Sequence, residues 1–293
     1  MNRLSFAKRE QVITSLVEGN SIASTCRITG VAKMTVLKLL ADVGTACENL
    51  QDRWLRDLDC KRVQVDEIWS FVGMKAKNVP AESYNEFGIG DVWTFIALDA
   101  DSKLVVTWRL GWRDEKTTNE FIYDLSQRMR GRIQLTSDGF KAYRFAVETS
   151  FNARGGHGVD YAMLMKNYAE APKEDRRRYS PSRFVSCELK AIFGNPDEKH
   201  ISTSFVERSN LTWRMCNRRM TRLTNAFSKN VDNHAHQLAL NFAHYNFVRI
   251  HKTLRCTPAM AAGIVNGVWS IGDLVKVADE YEIMQDWPLA KAS

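Results

Sequence analysis

Apolar and polar positions keep two different periods along this chain, and the change falls near residue 61. Before it, residues 6–17 carry apolar side chains at helical spacing and stop at Glu18-Gly19-Asn20, a helix-ending signal. Ser21 can cap a second helix over 22–28, Gly30 supplies a tight turn, and a third helix is expected over 33–40. Val31, Val36 and Leu39 would face back onto the second helix, leaving Lys33, Thr35 and Lys38 outside. This is the helix-turn-helix pattern, whose second helix can enter a DNA major groove. Many structural hairpins share it. Residues 44–60 read as a helical linker, with Trp54, Leu55 and Leu58 docked on the remainder.

After residue 61 the period shortens to two. Over 62–72, Val63, Val65, Trp69 and Phe71 alternate with Gln64, Asp66 and Ser70, the pattern of a half-buried strand. A polar loop over 73–91 precedes strands at 92–98 and 104–110, joined by a turn at 99–103. A helix at 114–129, a strand at 132–136, a helix at 141–151 and a strand at 159–165 follow. Pro172, Pro181 and Pro196 mark 166–202 as a polar insertion, before helices at 203–223, 231–249 and 271–281. The expected class is α/β: a ribonuclease H-like mixed sheet with flanking helices, behind a small all-α domain. The implied division is 1–45 helix-turn-helix, 46–60 linker, 61–265 catalytic domain and 266–293 helical tail.

Composition narrows the class. No apolar run approaches a membrane span and the first residues lack a signal-peptide core, so a cytoplasmic protein is expected. Cys26, Cys47, Cys60, Cys187, Cys216 and Cys256 include no Cys-x-x-Cys pair, which argues for reduced thiols and against a zinc ribbon. The net charge is +7, and residues 203–256 alone carry nine Lys/Arg against Glu207 and Asp232, equal to the whole excess. A second basic run is Arg176-Arg177-Arg178. Charge concentrated in this way favours a polyanion partner.

Three carboxylates stand out by context. Asp66 sits within a strand, where an ionised group needs a partner or a metal. Asp138 closes a strand before a glycine, which is also ordinary turn chemistry. Glu207 begins a helix, where an acid is favourable with the helix dipole in any case. A helical step of about 100° per residue puts Glu207, Leu211, Arg214 and Arg218 on one stripe. Glu67 falls on the apolar side of its strand, suited to a structural pair with an arginine. His234 and His236 are two apart and face different ways on a helix, so packing or hydrogen bonding is expected of them. Jointly the three acids fall where this sheet brings side chains together. Two Mg²⁺ ions about 3.5–4 Å apart could clamp an in-line phosphoryl displacement there.

Val65-Asp66-Glu-Ile-Trp-Ser-Phe-Val72, Gly90-Asp-Val-Trp-Thr94, Thr136-Ser-Asp138-Gly-Phe140, Thr203-Ser-Phe-Val-Glu207-Arg-Ser-Asn-Leu-Thr212 and Tyr245-Asn-Phe-Val-Arg-Ile-His-Lys-Thr-Leu-Arg255 resemble the DDE transposases, specifically the insertion-sequence-one family. The resemblance implies cleavage at transposon ends and strand transfer, dependent on Mg²⁺ or Mn²⁺, with Asp66, Asp138 and Glu207 as metal ligands. It implies double-stranded DNA as partner, in the form of terminal inverted repeats and target, and a homo-oligomer on that DNA. The expected DNA-contacting residues are Lys33, Thr35, Lys38, Arg208, Arg214, Arg218, Arg222, Arg249, His251 and Lys252. Some members of that family carry an N-terminal zinc ribbon, and this chain has no cysteine pair to build one. Two rivals stay open: a domesticated, non-cutting DNA-binding regulator, and a structure-selective nuclease on the same fold.

Overall fold

The computed structural model of the chain describes residues 3–152, 157–169 and 183–286. Arg176, Arg177 and Arg178 lie outside them. One sheet runs in the order β3-β2-β1-β4-β5-β6. Its strands are β1 (Arg62–Val72), β2 (Gly90–Asp99), β3 (Val105–Gly111), β4 (Ile133–Ser137), β5 (Val159–Ala169) and β6 (Arg183–Phe193). β1, β2 and β3 are antiparallel neighbours, β4 lies parallel to β1, and β5 lies parallel to β4. With helices on both faces, this is a ribonuclease H-like mixed sheet.

The alternation in β1 separates two cores. Val63 and Val65 join Phe95, Leu135 and, from α4 (Glu115–Arg128), Phe121 and Leu125. Tyr143 of α5 (Ala142–Val147) is buried in the same layer. On the opposite face, Ile68, Ile96 and Leu98 meet Val206 and Trp213 of α6 (Ser204–Cys216) and Leu238 and Phe242 of α7 (Val231–Ala243). Trp213 lies edge-on to Phe242 at 4.6 Å and to Tyr245 at 4.9 Å. Such contacts add about 0.5–1.5 kcal/mol each beyond burial.

At the N-terminus, α1 (Phe6–Val17) and α2 (Ile22–Thr29) are capped by Ser5 and Ser21, and Gly30 ends α2 in the left-handed region at φ 70°. Val31, Val36 and Leu39 are buried, while Lys33, Thr35 and Lys38 are exposed. The third helix is longer than its local pattern indicates. α3 (Lys33–Trp54) continues through the position expected to divide domain from linker, and crosses α7 at close range. A Cβ on Gly44 would lie 2.6 Å from the His236 Cβ, so only glycine fits that crossing. α1, α3 and, from α9 (Ile271–Asp286), Leu274, Val275 and Ala278 share the first core with the sheet. α8 (Pro258–Ala261) is a single turn starting on proline.

Two further expectations are corrected. Part of 166–202 is sheet, because β5 extends to Ala169 and β6 pairs antiparallel with it along the sheet edge. Side chains of β6 from Val185 to Lys190 are exposed on both sides, so the strand lacks the alternating burial that would mark it in sequence. α6 stops at Cys216, since Asn217 adopts an extended backbone (φ −116°, ψ 105°) and its side chain caps a short turn over Arg218–Met220. Arg218 and Arg222 therefore do not continue the helical stripe of Glu207 and Arg214.

Candidate active site

The site forms where two parallel strands part. β1 and β4 pair only from Arg62↔Gln134 to Gln64↔Thr136. Asp66 and Asp138 each lie two residues beyond that last pair, at the mouth of the cleft. A crevice at the carboxyl ends of parallel strands is a general ligand position in α/β sheets. β1 also sets the neighbouring helix. Gln64 Oε1 accepts the backbone N–H groups of Phe205 (2.9 Å) and Val206 (3.1 Å) at the start of α6. These donors have no partner within the helix, so the strand caps it and fixes the turn carrying Glu207.

Asp66, Asp138 and Glu207 line one groove of about 620 Å³, with Arg113, Phe140 and Lys166 around them. Their spacing is unequal. Carboxylate oxygens of Asp66, Glu67 and Asp138 lie within 4.8 Å of one another. Glu207 stands in the same groove outside that group, bound by Lys166 Nζ and the Thr203 hydroxyl. Asp138 Oδ1 accepts the Phe140 N–H at 2.9 Å, the turn contact its sequence suggests, and Oδ2 has Arg113 Nη2 3.7 Å away. Asn210, one turn along α6 from Glu207, donates to Asp66 Oδ2 at 2.6 Å.

Arg113, Lys141 and Lys166 line the groove, but among the described residues only Arg113 reaches the close group of acids. Arg113 donates through Nε to Glu67 Oε2 at 3.0 Å and stands 3.7 Å from Asp138, held over the Phe140 ring at 4.1 Å. Glu67 is therefore the arginine-paired group expected of it, yet it also belongs to the close carboxylate cluster. Its Oε1 and the nearby Tyr143 hydroxyl are buried without a well-formed hydrogen bond. Burial, then the charges of Glu67 and Asp138, pushes Asp66 up to about 7. Burial and Asp138 likewise raise Glu67, against Arg113. One arginine does not neutralise three crowded acids. An all-oxygen, anionic donor set of this kind suits a hard divalent cation.

The expected DNA-contacting residues are scattered. Lys33, Thr35 and Lys38 lie on the first turns of α3, where Lys38 pairs with Asp42 at 2.8 Å. Arg208 is exposed on α6, and Arg214 is half-buried on the acid side, its Nε without a partner. Burial and Arg222 lower the pKa of Arg214, opposed by Asp66. Arg249 donates to Cys216 Sγ at 3.0 Å, and it, His251 and Lys252 lie on a separate loop outside the groove. His234 is fully buried and hydrogen-bonded on both ring nitrogens, as expected of a structural histidine. Sequence reasoning missed Arg113, Lys166 and Asn210. Only Asn210 left a signal, being three residues from Glu207 on one helical face.

Neither a family model nor a curated protein matches the chain. Among solved structures it is similar to the piggyBac transposase synaptic complex with hairpin DNA, with 11% identity and a TM-score of 0.39 over 98% of this chain and 73% of that one. It is also similar to the Mos1 transposase paired-end complex with the left transposon end, at 16% identity and a TM-score of 0.20. That match covers 51% of this chain and 57% of the other. A Mos1 mariner paired-end complex with Mn matches at 15% identity and a TM-score of 0.20, over 54% and 59%.

Proposed function

We propose that this chain is a DDE-type DNA transposase of the insertion-sequence-one kind, which cuts the ends of a mobile element and joins them to target DNA. The observation that carries the reading is the under-neutralised group of Asp66, Glu67 and Asp138 at the parting of β1 and β4, with Glu207 across the same groove. Asp66, Asp138 and Glu207 would hold two Mg²⁺ or Mn²⁺ ions. When bound, such ions activate an attacking oxygen and stabilise a leaving one. The protein's own part is placement. Asn210 orients Asp66, the Phe140 N–H orients Asp138, and Gln64 seats the turn that presents Glu207. Arg113 spans Glu67 and Asp138, so two acids keep a fixed separation. Lys166, released from Glu207, would be free to meet a phosphodiester at the groove wall.

The test uses the full chain with duplex DNA carrying the terminal sequences that flank its gene. Mg²⁺-dependent nicking and joining of those ends is expected, and lost in Asp138→Asn. Nicking of branched DNA without joining would support a nuclease instead. Selective binding with no cleavage under any divalent cation would support a regulator.

A further inference from the structure

A groove of about 1050 Å³ opens between the α1–α2 turn, the start of α3 and the segment after α6. Lys33, Arg218, Arg219 and Lys229 line it, and no acid does. It shares Arg218 and Asn225 with a second groove of about 650 Å³, to which Lys75 and Arg222 contribute, again without a carboxylate. Arg222 acts in turn on Arg214, which also feels Asp66. A line of positive charge thus runs from α3 through Arg218 to Arg222, on the side of Arg214 and the acids.

Within it, Arg219 is held unusually. Ser70 Oγ donates to the Val92 carbonyl at 3.1 Å, so it accepts from His234 Nε2 at 3.2 Å. His234 Nδ1 then accepts from Ser228 Oγ at 2.7 Å, and Ser228 accepts from Arg219 Nη1 at 3.2 Å. A single direction satisfies every member, and it requires neutral His234 with its proton on Nε2. Burial, then the charge of Arg219, holds that imidazole down at about 3, which keeps it neutral. Among the described residues no carboxylate pairs with Arg219, although burial lowers its pKa to about 10. Beside it Asn217, only 1% exposed, uses Oδ1 on the Arg219 N–H (3.0 Å) and leaves Nδ2 without a partner. An oriented guanidinium and a buried orphan donor lining one acid-free groove make a built anion site.

We propose that Arg219 and Asn217 seat a backbone phosphate of DNA, at the centre of a phosphate track running from Lys33 towards the acids. The six cations of the two confluent grooves favour a polyanion over a single free phosphate. The inference rests on the reading that the substrate is DNA, and adds the path the duplex takes. Ser228 and His234 act as positioning residues for Arg219.

The experiment measures binding of the full-length chain to duplex DNA in chelator over a range of NaCl. Arg219→Gln should flatten the log–log salt slope by roughly 0.9 and weaken end and random DNA alike. Arg219→Lys should recover part of the slope. Ser228→Ala should weaken binding, and the double variant should be no worse than Arg219→Gln alone. Lys33→Gln and Lys229→Gln, both exposed, should flatten the slope by similar amounts. Wild-type slopes in these variants would overturn the track. So would an Arg219-dependent rise in Tm with inorganic phosphate while DNA slopes stay unchanged, since that marks a site for a free anion. Asp138→Asn should keep the wild-type slope. A wild-type chain that binds with this slope yet never cuts removes the proposed chemistry and leaves the seat standing.

Discussion

The arginine-centred carboxylate clusters around Arg128 and Arg113 are built to opposite specifications. Arg128 is buried and donates to Asp124 through Nε (2.7 Å), to Asp52 through Nη2 (2.8 Å) and to the Leu55 carbonyl through Nη1 (3.1 Å). Burial alone would raise Asp124, yet its hydrogen bond to Arg128 and that charge hold it below its usual value. This cluster is saturated, and it ties the end of α3 to α4. Arg113 has the same chemistry to offer but makes one hydrogen bond to Glu67 and stands off from Asp138, while among the described residues no cation is in salt-bridge contact with Asp66. Asp66 and Glu67 are pushed up rather than down. Saturation marks architecture, and a deficit of positive charge is what the proposed metal ions would fill.

The largest expected effect separates the two by activity. Asp66→Asn and Asp138→Asn should each reduce Mg²⁺-dependent nicking and joining to background in a gel assay, with the fold intact by circular dichroism. Glu207→Gln should do the same, and cutting at the wild-type rate would remove Glu207 from the metal set. The reverse effect is next in size. Arg128→Met removes the buried hydrogen bonds to Asp124, Asp52 and the Leu55 carbonyl, which should cost about 1–3 kcal/mol in denaturant unfolding. If Arg113→Met costs as much, the contrast between the clusters fails.

Divalent cations should stabilise only one cluster. At a hundredfold excess over its dissociation constant a ligand adds about 2.7 kcal/mol, so Mg²⁺ should raise Tm by several degrees. Asp66→Asn should abolish that rise and Arg128→Met should not. Equal rises in wild type and Asp66→Asn would place the ion elsewhere.

Acid titration gives the most gradual effect. Asp124 has a lowered folded pKa, so its contribution is complete above its unfolded value near 3.8 and is lost as pH falls from there through the folded value. His234 has a folded value near 3 against 6.5 unfolded, so the unfolded chain binds the extra proton between them. Its contribution is complete above about 6.5 and is lost as pH falls towards 3. His234→Gln should therefore flatten the loss of stability with acid in that window. An unchanged slope would mean that His234 is not buried neutral.

What the sequence reveals here depends on how local each determinant is. The period of two in β1, the turn after Asp138 and the capped starts of α1 and α2 are local, and each is legible. Arg113 is invisible in sequence because it reaches the acids from the far end of β3, across two strands. β6 hides because both its faces are exposed. Glycine is read as a stop signal, so Gly44 conceals the length of α3; its role is to let α7 pass. Likewise nothing local shows that Asn217 breaks α6 and sends Arg218 and Arg219 into a groove. Asp66, Asp138 and Glu207 were separable as candidates, whereas their unequal spacing and the place of Glu67 among them required the folded chain.

The short pairing of β1 with β4 carries a rule of parity. Both acids lie an even number of residues past Gln64↔Thr136, and a strand turns over with each residue. One residue inserted between Gln64 and Asp66 would roll Asp66 to the far face and bring its predecessor into the cleft. The same change before Asp138 would turn that side chain towards the α4–α5 layer. Length drift in this lineage should therefore collect in the loop at 73–89 and in the segment between β5 and β6, while 62–66 and 134–138 keep a fixed count. A homologue with an odd insertion in either stretch should have lost its chemistry while retaining its fold.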